Sequence, residues 1–99
     1  MGNMQQMMKQ AQKLQKQMMD AQEQLNQQEF TGKSTNEYVT TTFTGNRQMK
    51  NLEINEAIID PEDADMLSDM VLMAVNDALT QIEDANEKTM GKYTKGLPF

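Results

Sequence analysis

Ninety-nine residues with a net charge of −6 and neither Cys nor His make one small domain with no disulfide framework, no thiolate metal site and no ordinary neutral-pH base, which disfavours enzymes. Only 37% of the residues are hydrophobic and 5% aromatic, too few for a thick core. The expectation is elongated helices with narrow seams, or a core completed by a partner chain, and so an oligomer. No run of 18 apolar residues occurs and the start MGNMQQMMKQ lacks the apolar segment of a signal peptide, so cytoplasm is the default and no membrane is expected.

In chain order, Met4, Met7, Ala11, Leu14, Met18, Ala21 and Leu25 recur with steps of three and four, the spacing of a coiled-coil-like heptad seam. With Met4 at position a, Lys9 and Lys16 fall at f and Lys13 at c, opposite the seam. The stretch from Met7 to Leu25 has no Pro, Gly or β-branched residue, so a helix is expected over about residues 3–28.

At Glu29-Phe30-Thr31-Gly32 the pattern changes, and Lys33 to Asn36 is polar turn material. Glu37 to Thr44 is dense in β-branched and aromatic residues and reads as a strand. Gly45-Asn46 offers positive φ for a tight hairpin, after which Leu52 and Ile54 alternate with polar residues. A three-stranded antiparallel meander is expected over about residues 29–55, with a short helical turn near 56–60.

Asp60 is expected to cap and Pro61 to open a second long helix over about residues 61–90, with Glu62, Asp63 and Asp65 against the positive end of its dipole. Gly91, Gly96 and Pro98 mark a frayed tail over 91–99. The whole is an α+β chain of order α-β-β-β-α. An EF-hand-type reading of the acids from Asp60 fails at Ala64, Asp65 and Val71, so no metal is expected. No phosphate-cradling Gly loop and no nucleophile paired with a base occurs, so no cofactor and no small-molecule substrate is expected either.

Charge is segregated. Residues 1–19 carry Lys9, Lys13 and Lys16 with no acid, residues 88–99 carry Lys88, Lys92 and Lys95 with no acid, and residues 53–87 hold eleven acids with no base. If the long helices pack antiparallel, the two basic ends meet at one tip, a local field that attracts phosphate whatever the net charge. Solubilising lysines on a solvated helix face are the competing account.

Several stretches together resemble the YbaB/EbfC family of bacterial nucleoid-associated proteins over nearly the full length. Met8-Lys9-Gln10-Ala11-Gln12 with its heptads is similar to the family's first helix, and Thr31-Gly32 to the link into the sheet. Val39 to Gly45 resembles the central strand and its turn, Leu52-Glu53-Ile54 the third strand, Asn76-Asp77-Ala78 the Asn-Asp-Ala run of the last helix, and Gly96-Leu97-Pro98-Phe99 the close. The chain departs from the pattern in Ser34 to Glu37, where relatives have a Gly-rich turn, and in Thr80 and Gln81, where relatives often carry Lys or Arg.

The resemblance implies a tweezer-like homodimer whose sheets join the protomers and whose first and last helices project as arms. It implies binding of double-stranded DNA with low sequence specificity in the bacterial nucleoid, for nucleoid organisation or gene regulation. The candidate phosphate contacts are Lys9, Lys13, Lys16, Lys88, Lys92 and Lys95, with Arg47 and Lys50 on the hairpin as secondary candidates. The alternative is a protein-clasping or holdase module that uses the Gln- and Met-rich arms.

Overall fold

The computed structural model describes residues 2–94 and has the order α1 (Gly2–Gln27), β1 (Glu29–Lys33), β2 (Val39–Thr44), β3 (Met49–Ile54) and α2 (Ala64–Thr94). One-turn 3-10 segments lie at Thr35–Glu37 and Glu56–Ile58. The strands form one antiparallel meander in the order β1-β2-β3. The molecule measures 75 × 23 × 16 Å with a radius of gyration of 20.0 Å, against about 13 Å for a compact chain of this length. Helix accounts for the excess: the 26 residues of α1 and the 31 of α2 rise about 39 and 46 Å.

Alternation sets the sheet's two faces. Val39, Thr41 and Phe43 of β2 are buried, as are Phe30 and Gly32 of β1, and these face α2 through Ala74, Ala78 and Ile82, which recur every four residues and are fully buried. The register Phe30↔Phe43 and Gly32↔Thr41 puts the two rings on one side of the close contact, where they join Leu25 of α1 and Ile82 in one cluster. Val39, Ile58 and Ala74 form a second cluster towards the start of α2. Thr41, buried in the sheet, donates its hydroxyl to the Asn51 carbonyl, so its polarity costs nothing there.

Gly32 controls how near α2 comes. A Cβ on it would lie 2.1 Å from the Ala74 carbonyl oxygen and 2.7 Å from the Ala78 nitrogen, so only the bare backbone fits. On either side of this contact α2 closes the outer edge of β1: the Lys33 N–H donates to Asp77 Oδ2 at 2.9 Å and Gln81 Nε2 donates to the Thr31 carbonyl at 2.8 Å. Asp77 and Gln81 are one helical turn apart, which matches the spacing of Thr31 and Lys33 along the strand edge.

The other edge is different. On β3, Val39↔Ile54 and Thr41↔Leu52 place Leu52 and Ile54 on the helix-side face, yet Leu52 is 39% exposed and Met49 45%. Helix α2 lies over β1 and β2 and leaves β3 uncovered. Leu72 projects from the flank of α2 and is also exposed.

Three local expectations need correction. The helix cap is Asp63, whose Oδ1 accepts from the Met66 N–H, while Asp60 and Pro61 form a preceding turn closed by Asp63 N–H to the Asp60 carbonyl. Pro61 therefore sits in the turn, and α2 starts at Ala64 rather than near 61. Gly45 has no positive φ; the left-handed residue of the hairpin is Arg47, with φ 65. Gly45 is needed because a Cβ there would lie 1.8 Å from the Leu25 carbonyl oxygen. Lastly, α2 runs through Gly91 to Thr94; of the expected tail, residues 95–99 lie outside the described residues.

The turn from Ser34 to Glu37 has backbone of the kind glycine favours: Asn36 and Glu37 both have positive φ, 56 and 57. Asn tolerates this region better than most residues. Glu37 is held there with its carboxylate 2.9 Å from Lys33 Nζ, and this bond and charge, with a smaller contribution from Asp77, raise the Lys33 pKa above its ordinary value against a small opposing effect of burial.

Two substitutions test this frame by chemical denaturation. Gly32→Ala should cost about 3 kcal/mol or more, because the methyl meets backbone that cannot step aside. Asp77→Ala should cost about 1 kcal/mol by orphaning the Lys33 N–H, and Asp77→Asn less, since the amide oxygen still accepts.

Candidate nucleic-acid interface

The two helices pack antiparallel over part of their length. One hollow is lined by Ala21, Gln24, Leu25, Gln28 and Thr89, and the next by Gln17, Asp20, Ala21, Gln24 and Tyr93. Thr89 is thus level with Leu25, and Tyr93 with Ala21. The first half of α1 extends past the described end of α2 by about 20 Å. Along α1 the seam residues follow this geometry: Leu25 is buried, Ala21, Met18 and Leu14 are half-buried, and Ala11, Met7 and Met4 are exposed.

Lys9, Lys13 and Lys16 lie on that overhang, all exposed. Their spacing of four and three puts them in one stripe rising about 10 Å along the face opposite the seam. There is no acid in the first turn of α1, so the unpaired N–H groups at its start add positive potential at the same end. Lys88 and Lys92 are exposed on α2 but level with the part of α1 that carries Asp20 and Glu23. The two basic ends therefore do not meet at one tip among the described residues. Along the long axis Lys92 is level with the middle of α1 and Lys88 lies farther inward, because α2 reaches only that far among the described residues. Lys95 lies outside the described residues.

The hairpin candidates differ from each other. Lys50 Nζ is 2.7 Å from Glu29 Oε1 across the sheet, so its charge is shared with an acid. Arg47, at the tip of the β2–β3 turn, is exposed. Among the described residues Lys9, Lys13, Lys16, Arg47, Lys88 and Lys92 make no ion pair, the two pairs present being Lys33–Glu37 and Lys50–Glu29. A hollow where α2 passes β1 is lined by Lys33 and Lys88 but also by Glu29 and Asp84, so opposite charges cancel there and the overhang keeps the stronger field.

The sequence singled out neither Lys33 nor the roles of Asp77 and Gln81. Asp77 closes a strand edge, which explains a polar pair in mid-helix. Gln81 does the same one turn further along the helix. No group of three or more His, Cys, Asp or Glu side chains among the described residues is placed to hold a metal ion, and no described helix is long and apolar enough to cross a membrane.

Known proteins match the chain over almost all of its length. A protein of Enterococcus faecalis described as a nucleoid-associated protein is 64% identical over 98 residues, covering 99% of this chain and 94% of that one. One of Lactococcus lactis subsp. cremoris with the same description is 59% identical over the whole of both chains. Among solved structures, an uncharacterized protein of Helicobacter pylori superposes with a TM-score of 0.70 at 22% identity, over 87% of this chain and 89% of that one, a likeness of fold. The family model of the YbaB/EbfC DNA-binding family matches residues 1–97, and with the identity to the nucleoid-associated proteins this shows that the chain belongs to that family.

Proposed function

We propose that the protein works in the nucleoid as a homodimer that binds double-stranded DNA through phosphate contacts from its helical arms, with little sequence discrimination. The observation that carries this reading is the overhang of α1: three exposed lysines in one stripe and no acid within the first 19 residues. Lys88 and Lys92 add exposed basic charge farther inward on α2, with Arg47 and Lys50 secondary. Lysines on an outward helix face donate to phosphate oxygens rather than base edges, so they position the protein without reading sequence. The acidic body, with eleven acids over residues 53–87, repels DNA elsewhere and favours contact at the arms and the hairpin.

The open edge of β3 supports the dimer. Met49 and Leu52 on its helix-side face expose apolar surface that one protomer does not cover, whereas the β1 edge is engaged by Asp77 and Gln81. Two β3 edges brought together would join the sheets and bury these side chains. Such a dimer carries two arms.

Mobility shift with plain duplex DNA tests the lysine reading. Replacing Lys9, Lys13 and Lys16 by Gln should weaken binding tenfold or more at low salt and flatten the slope of log K against log salt by roughly one for each lysine that neutralises a phosphate. Unchanged affinity and slope would overturn it. Sedimentation tests the interface: Leu52→Glu should raise the dimer dissociation constant at least tenfold, and an unaltered dimer would exclude the β3 face.

A further inference from the structure

We infer that the free half of α1 carries a second binding surface, a self-complementary helix seam that pairs arm to arm with another copy of this chain. Met4 and Met7 are 73% and 68% exposed, yet they occupy the a and d positions of a heptad pattern that continues unbroken into the part of α1 already packed on α2 and the sheet through Leu25. A seven-residue repeat maintained beyond its intramolecular partner marks a face built to meet another helix.

The occupant follows from shape and charge. Laid antiparallel on a second copy, Met7 comes opposite the partner's Ala11, both exposed, and Met4 opposite the partner's Leu14, which is half-buried, so a long side chain meets a small one at the centre and the match is symmetric. The positions flanking the seam are Met8, Gln10, Gln15 and Gln17, none charged, so two copies meet without repulsion and a charged partner helix gains nothing there. All three lysines point away. Pairing therefore yields a rod with a lysine stripe on each outer side, both still able to reach phosphate.

The overlap is about two heptads, well below the area of a stable complex. A single pairing is weak and becomes populated when copies are held close, as on one duplex or by the two arms of a dimer. The expected consequence is cooperative binding along DNA. The inference rests on the proposed dimer and its arm geometry but not on the lysine contacts, so it can stand or fall separately from the DNA reading.

The chain has no Cys, which makes the test clean. Full-length Met7→Cys and Ala11→Cys proteins are mixed at high concentration without DNA and mildly oxidised. A disulfide-linked two-chain band is expected from the mixture, in excess of either variant alone and of Lys9→Cys on the outer face, in particles that sediment as four or more chains. No preferred cross-link, as when residues 95–99 of the same chain cover the seam, or cross-links confined to particles of two chains, would overturn the inference. On DNA, Met4→Gln with Met7→Gln keeps charge and helix propensity. It should lower the Hill coefficient of binding from above 1.5 to about 1, with affinity at low occupancy changed less than threefold. Undiminished steepness would overturn the inference, and if the parent protein fails to bind DNA at all, the disulfide result still decides it.

Discussion

The bare backbone of Gly32 lets α2 press onto β1, and the placement of everything else depends on this approach. With Ala74 and Ala78 against that glycine, the helix axis is drawn over β1 and β2. Asp77 and Gln81 then reach the outer edge of β1 at the right spacing to satisfy it. The same placement leaves β3 without a helix above it and directs the far half of α2 beyond the sheet, where it meets α1 at Leu25 and Ala21. A side chain at position 32 would lift the helix, loosen its bonds to the strand edge and change the angle at which the arm leaves the body.

A thin core follows from this arrangement. Two small alanines and one isoleucine line the buried face of α2, so helix and sheet lie close and few large side chains are enclosed. Stability then depends on tight approach and on well-satisfied backbone as much as on apolar volume. The acids near the start of α2 serve the same end: Asp63 caps the helix and Asp60 accepts from the Glu62 N–H in the turn before it. Their charge also keeps one end of the molecule negative while the opposite end is positive, so an acidic protein presents a basic arm.

The long elements were legible from local pattern: steps of three and four for α1, β-branched and aromatic density for β2, alternation of Leu52 and Ile54 for β3, and steps of three and four again for α2 at Leu67, Val71, Ala74, Ala78, Ile82 and Ala85. The family was legible in the order of several individually weak stretches. What escaped the sequence depended on distances between elements. Asp60 and Asp63 are both good caps, and only the turn at Pro61 decides between them. Gly45 reads as a turn glycine, but its neighbour across the fold, Leu25, is what requires it, and Arg47 takes the positive φ instead. The lysines could be assigned to a helix face, whereas their level relative to Lys88 and Lys92 depended on how far α2 travels along α1. Asp77 and Gln81 carried no pattern that points to a strand 44 and 50 residues away.

The unequal treatment of the two sheet edges has a consequence for how far self-association can go. A strand with free N–H and C=O groups on one side invites another strand, and if both outer strands of a sheet do so, pairing repeats without limit and ends in fibrous aggregates. Here the β1 border is engaged by helix side chains of the same folding unit, Asp77 on the Lys33 N–H and Gln81 on the Thr31 carbonyl, whereas the β3 border has no helix over it. In the proposed dimer, addition through β3 would then stop after one step by geometry rather than by weak affinity, because the six-stranded sheet would end on both sides at a β1 border held by its own helix.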